Sequence, residues 1–205
     1  MSESCRLQVK VAVVGDGSVG KTSLVNSFTG KSSFMETYKI TIGVNIVVHK
    51  IERNNGTKIN FAIWDLGGQA RFVAVRPTFY LGSQLVVYVF DLTNKVSFDN
   101  LMTKWLQEVH RSCKPSSYKG LLVGNKVDLS EFRAVDYETA KKFAEAIGVE
   151  YIETSAKDGT GTRELVDRLI ANVVGKESVQ NDIYPSQKVV KQNEVLSYTS
   201  LTSFF

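Results

Sequence analysis

Hydrophobic residues recur along this chain with two periods, and the switches between them mark out its elements. Residues 7–14 and 85–91 are apolar-rich runs of strand length, as expected of strands buried on both faces. Residues 119–125 and 149–153 read the same way. Residues 44–51 are β-branched and apolar, residues 58–64 alternate, and Asn54-Asn55-Gly56 between them signals a hairpin turn. Helical spacing holds over 21–28, with Gly30 placed to stop it. Over 97–111, Phe98, Leu101, Trp105, Leu106 and Val109 fall on one helical face, and Asn94 or Ser97 is placed to cap the start. Helices are also expected over 136–147, ending at Gly148, and over 161–174, ending at Gly175. Residues 31–40 have no steady period and read as a loop. Residues 70–81 read as a loop or irregular helix, with Pro77 limiting regular helix.

Strands alternating with helices predict an α/β fold. The sheet is expected to be six-stranded and mostly parallel, with helices on both faces and one antiparallel edge strand from the hairpin. Ligands in such sheets bind at the carboxyl ends of the strands. The loop after the first strand, Asp65, Asn125 and Ser155 all fall at or just after predicted strand ends, so four polar stations converge on one edge.

The first station is Gly15-Asp16-Gly17-Ser18-Val19-Gly20-Lys21-Thr22, followed by Ser23. It fits G-x-x-x-x-G-K-[ST], the phosphate-binding P-loop, in the strand–loop–helix context that motif requires. A chance match in a chain of this length is on the order of 1 in 100 at average residue usage. Gly15, Gly17 and Gly20 allow backbone angles and close approaches that a Cβ would block. Successive N–H groups can then form an anion nest at the positive end of the helix dipole. Lys21 supplies positive charge to the β/γ-phosphates, and Thr22 a hydroxyl to Mg²⁺. Asp65-x-x-Gly68 offers a metal-directed carboxylate and an N–H that can approach the γ-phosphate, and Gln69 can orient an attacking water. Asn125-Lys126-Val127-Asp128 is N-K-x-D. Asp128 can accept from both N1–H and N2–H₂ of guanine, donors that adenine lacks there, and a buried unpaired carboxylate penalises the wrong base. Lys126 can lay its stem along the base and tie back to the phosphate loop. In that company Ser155-Ala156-Lys157 reads as a further base contact, Ala156 N–H meeting guanine O6. Phe34 is a candidate aromatic edge over the base.

Composition narrows the class without changing this reading. The chain has 205 residues, enough for one α/β domain with a substantial core, and 43% are hydrophobic. A net charge of +4 with scattered basic residues gives no nucleic-acid stripe. Two cysteines, Cys5 and Cys113, are too few for a disulfide framework or a metal site and favour a reducing, cytoplasmic setting. No apolar run approaches the ~20 residues of a membrane span, and residues 1–6 lack a signal-peptide pattern. Residues 1–5 read as an extension, 6–175 as the domain, and 176–205 as a polar, mostly disordered tail.

Gly15–Thr22, Thr41-Ile42-Gly43, Trp64–Gln69, Asn125–Asp128 and Ser155–Lys157 together resemble the five guanine-nucleotide motifs of the Ras superfamily of small GTPases. The resemblance covers roughly residues 6–175 and is closest to the Rab branch. It implies a P-loop G domain that binds GTP or GDP with Mg²⁺ and hydrolyses GTP slowly. Thr41 would join Thr22 and Asp65 at the metal and bond the γ-phosphate. Residues 32–43 and 65–82 would be two switches that close on GTP and relax after hydrolysis. An exchange factor and an activating protein are implied partners, the second because switch I and its approach hold only Lys31 and Lys39 and no arginine finger in cis. Ile46, Trp64 and Phe79 fall where the Rab branch keeps an effector-reading hydrophobic triad. Leu66-Gly67-Gly68-Gln69 instead resembles the Arf branch and the septation-type GTPases. The chain ends Ser203-Phe204-Phe205, without prenylation cysteines or a polybasic cluster, so stable lipid anchoring is not expected, and contact with membrane surfaces would be transient. A monomer is expected. Two rival classes remain open at this stage: a nucleotide-gated binding module with negligible hydrolysis, and an ATP-using P-loop enzyme. Intact Gly17, Thr22, Thr41 and Gln69 oppose the first. Asn125–Asp128 and the lack of a lid-sized insertion oppose the second.

Overall fold

A computed structural model describes residues 6–30, 41, 44–68, 74 and 76–175. Its strands are β1 (Arg6–Val14), β2 (Val44–Glu52), β3 (Lys58–Leu66), β4 (Leu85–Asp91), β5 (Lys119–Asn125) and β6 (Glu150–Thr154). They form one sheet in the order β2-β3-β1-β4-β5-β6, parallel throughout except for the β2–β3 pair. The hairpin turns at Gly56, whose φ of 81° suits glycine, and its N–H donates to the Arg53 carbonyl at 2.9 Å.

Both faces of the sheet are covered because the central strands alternate apolar residues to each side. Val9, Val11 and Val13 of β1 join a core with α1 (Lys21–Phe28) and α6 (Thr162–Val174), through Leu24, Val25, Leu165 and Leu169. Ala12 and Val14 face the opposite way, into a core with Trp105, Val109, Ala140 and Ala144. That second layer holds α2 (Arg76–Tyr80), α3 (Lys95–Asn100), α4 (Leu106–Ser112) and α5 (Tyr137–Ala146). Asp136 caps α5 by accepting from Thr139 N–H at 2.8 Å.

Two helical expectations are refined. The stretch read as one helix over 97–111 is a rod over 95–112, capped by Asn94, whose middle widens into a π-turn at Leu101–Trp105. The irregular stretch over 70–81 contains the short helix α2, in which Pro77 takes the second position, where a missing N–H costs nothing.

Candidate functional site

The carboxyl edge of the sheet collects the polar stations. The phosphate loop leaves β1 through Gly15 (φ 143°), Ser18 (φ 66°) and Gly20 (φ 94°), a run of positive φ that turns successive amides toward one side. A Cβ on Gly15 would strike the Val89 carbonyl, and one on Gly20 would strike the Asn125 amide. At Gly17 a Cβ would meet nothing among the described residues within 4 Å. Val19 is buried in the core and Ser18 is exposed. Gly20 gives α1 no side-chain cap, so its N-cap residue leaves the first-turn N–H groups free to face an anion. Lys21 is buried, and its Nζ donates to the carbonyls of Gly15 (2.8 Å) and Asp16 (2.6 Å). Burial pulls its pKa down to about 8, against the opposing pull of Asp65 and Asp16.

Thr22, Thr41 and Asp65, the expected metal ligands, come from three segments and meet. Thr22 Oγ1 donates to Asp65 Oδ2 at 2.5 Å and lies 2.7 Å from Thr41 Oγ1. Asp65 is fully buried, and among the described residues its Oδ1 has no hydrogen-bond partner. Burial pushes its carboxyl up from the usual range, while Thr22 and Lys21 work against that shift. An orphaned carboxylate oxygen beside two hydroxyls is a hard-oxygen donor set of the kind Mg²⁺ takes. Gly68 follows at the end of the described segment and lies hard against the phosphate loop: a Cβ on it would sit 2.5 Å from Asp16 C and Gly17 N.

The base-side stations are bolted to one another. Asn125 is 1% exposed. Its Nδ2 donates to the Val19 carbonyl (2.9 Å), and its Oδ1 accepts from Thr154 Oγ1 and Ala156 N–H, both at 3.2 Å. The Ala156 amide expected to meet guanine O6 is therefore donated to Asn125 here. Ser155 is buried and its hydroxyl donates to Asp128 Oδ1 at 2.6 Å, fixing that carboxylate; Lys157 N–H closes the turn onto Ser155 Oγ. Lys126 (φ 71°) pairs with Asp91 at 2.7 Å, so its tie runs to the end of β4 rather than to the phosphate loop. Ser23 lies in the first turn of α1 and is half-buried.

The side chain of Asp16 is directed away from the nest. Its oxygens accept from Asn100 Nδ2 (2.5 Å) and Trp105 Nε1 (2.7 Å); the sequence pattern placed Trp105 on the apolar helix face and gave neither residue a polar role. Arg76 and Glu108 were likewise missed. Arg76 makes two hydrogen bonds to Glu108 (2.6 and 2.7 Å), Tyr80 donates to the same carboxylate at 2.6 Å, and the guanidinium stacks on Trp105 with its carbon 4.5 Å from the ring centroid. Ile46 and Trp64 are cross-strand partners, and the Trp64 and Phe79 rings lie 5.8 Å apart, so the expected triad is one cluster. Trp64 is buried, while Ile46 and Phe79 stay half-exposed. Phe34, Gln69, Ile42 and Gly43 lie outside the described residues.

Comparison with known proteins decides the family. The Ras family model matches residues 10–175. The chain belongs to the Ras family. It is 40% identical over 164 residues to Ras-related protein RABD2a of Arabidopsis thaliana, covering 80% of this chain and 79% of that one. It is 39% identical over 165 residues to Ras-related protein Rab-1C of Dictyostelium discoideum, covering 80% of each. It is 40% identical over 148 residues to Ras-related protein Rab-1 of Theileria parva, covering 72% of this chain and 66% of that one. This Ras-family chain is a Rab-like small GTPase, a molecular switch that hydrolyses GTP. Members of the family bind GTP and GDP, typically with Mg²⁺, and work with exchange factors, activating proteins and effectors. No described helix is long and apolar enough to cross a membrane.

Proposed function

We propose that this chain cycles between GDP and GTP at the carboxyl edge of its sheet and works as a switch in membrane traffic. The observation that carries the site is the meeting of Thr22, Thr41 and Asp65 around a buried carboxylate oxygen without a partner among the described residues. These three would hold Mg²⁺, which when bound neutralises phosphate charge. The amides of Gly15 to Thr22 cradle the phosphates. Lys21, parked on its own loop's carbonyls, is placed to exchange them for β/γ-phosphate oxygens. Asp128, fixed by Ser155, reads the guanine N1–H and N2–H₂ edge, and Asn125 holds the phosphate loop against the Ser155-Ala156-Lys157 turn. Phe34 covers the base, Gly68 N–H approaches the γ-phosphate, and Gln69 orients water for in-line attack. The cluster of Ile46, Trp64 and Phe79 is the face an effector reads.

Hydrolysis is slow in isolation because switch I and its approach hold only Lys31 and Lys39 and no arginine to serve as a finger, and an activating protein provides one. Turnover of the purified protein is expected well below ~0.1 per minute, on the scale of other switches that lack a finger; Ras itself is the reference case for this class. Competition settles the ligand: GDP and GTP displace fluorescent GDP while a thousandfold excess of ATP does not. Comparable displacement by ATP refutes the guanine reading, and turnover far above that rate without a partner refutes the finger-less mechanism.

A further inference from the structure

The phosphate loop hangs from the rod over 95–112 by one carboxylate. Both oxygens of Asp16 are engaged: Asn100 Nδ2 donates to Oδ2 at 2.5 Å and Trp105 Nε1 to Oδ1 at 2.7 Å, with Lys104 Nζ 3.6 Å from Oδ1. Asn100 and Trp105 are five residues apart. At 3.6 residues per turn they would stand about 140° apart around a helix and could not both reach one carboxylate. The π-turn at Leu101–Trp105, in which Leu106 N–H donates to the Leu101 carbonyl, closes five residues into one turn and brings both donors to the same side. The irregular turn therefore has a purpose: it builds a claw for Asp16.

The claw also faces the other way. Trp105 is fully buried, and Asp16 accepts its single N–H donor. The Arg76 guanidinium of α2 stacks on its ring. Arg76 also pairs with Glu108 and donates from Nη1 to the Gly67 carbonyl at 3.4 Å, in the segment that carries Gly68 onto the phosphate loop. Trp105 thus touches the phosphate loop through its N–H and α2 through its face.

We infer that Asp16 is a positioning residue that sets the phosphate loop through the Asn100–Trp105 claw, and that Trp105 carries the loop's position to α2. This rests on the nucleotide reading above, with Asp16 acting through the backbone it holds.

Release of fluorescent GDP into excess GDP tests it in the full chain. Asp16→Ala and Trp105→Phe, which keeps a ring for Arg76 but removes the N–H, are each expected to speed release about tenfold, the scale of one charge-assisted hydrogen bond. The double variant should be no faster than the faster single variant, because both changes cut the same link. Asp16→Asn keeps an acceptor for Trp105 and should return release to within about threefold of the native rate. Chain labelled with fluorotryptophan, its signals assigned with Trp64→Phe, should show the Trp105 resonance moving between the GDP and GTP-analogue forms, a readout needing no change to the claw. Release within twofold of native in both single variants, multiplying effects in the double, or an unmoved Trp105 resonance would overturn the inference while leaving nucleotide binding intact. A native chain that fails to bind GDP would overturn the reading beneath it as well.

Discussion

At the scale of single residues, two glycines that adjoin in space carry opposite constraints. Gly17 lies on the open side of the phosphate loop, where a Cβ meets nothing among the described residues within 4 Å and φ is not positive. Gly68 is wedged against the backbone of the same loop, where a Cβ would fall 2.5 Å from Asp16 C and Gly17 N and 2.6 Å from Gly15 O. Backbone atoms cannot swing aside as a side-chain tip can. Gly17→Ala is therefore expected to leave the nucleotide-free protein as stable as the native chain, or up to ~1 kcal/mol more stable through the lost freedom of its unfolded state. Gly68→Ala should cost about 1–3 kcal/mol as the chain after β3 is pushed off the loop. Denaturant midpoints of the two variants check the contrast, and equal midpoints would refute it. On the proposed function, the free space at Gly17 would have a second use, as room beside the γ-phosphate for Gln69 and an incoming arginine. Gly17→Val should bind GTP normally yet resist acceleration by an activating protein, and a normal response would refute that role.

Elements show how much the sequence disclosed and where it fell silent. Strand positions were legible because each strand has a period of its own, and the Asn-Gly turn fixed the hairpin register that sets Ile46 opposite Trp64. The nucleotide stations were legible because each is a short motif at a strand end. The claw was not, because a π-turn costs the pattern only one residue and leaves Phe98, Leu101, Trp105 and Val109 in apparently regular spacing. Nor was the Arg76–Glu108–Tyr80 cluster, which joins α2 to α4 across 32 residues of chain. His49 belongs to the same silent class. In the sequence it is a polar residue on an edge strand; in the fold its ring meets Phe28 of α1 edge-on at 6.3 Å, and burial lowers its pKa to about 4. A base whose folded pKa lies below its unfolded value of ~6.5 makes the unfolded state the better proton binder between those two values. Its contribution is thus neutral above pH 7 and increasingly destabilising as pH falls from 6.5 toward 4. The GDP-bound native chain is expected to lose about 1–2 kcal/mol between pH 7.5 and pH 5 from this group, over and above its carboxylates. His49→Phe should remove that part of the acid loss, and an unchanged slope of midpoint against pH would refute it.

For the whole molecule, the sheet concentrates its unfinished chemistry on one edge. Four chain segments converge there, and their side chains bind one another as stand-ins. Lys21 sits on carbonyls of its own loop, Thr22 on Asp65, and Ala156 N–H on Asn125, while the fully buried Asp65 Oδ1 has no partner among the described residues. A buried carboxylate oxygen without a partner costs about 1–3 kcal/mol or more, a cost that a bound cation would relieve. Ligand that binds only the folded chain adds RT ln(1 + [L]/Kd), about 4 kcal/mol at a thousandfold excess over Kd. For a domain of this size that corresponds to a rise in melting temperature on the order of 10 °C. GDP with Mg²⁺ should produce such a rise and ATP with Mg²⁺ should not, if Asp128 reads the guanine edge as proposed. Chelating the metal should cancel much of the gain and speed GDP release, because the Asp65 oxygen again lacks a partner and the phosphates lose a counter-charge. Asp65→Asn separates the two contributions: it removes the buried charge, so the nucleotide-free protein should melt no lower than the native chain, while the Mg²⁺-dependent part of the rise disappears. A nucleotide-dependent rise that persists in full in Asp65→Asn, or that is indifferent to chelation, would refute the assignment of this carboxylate to the metal.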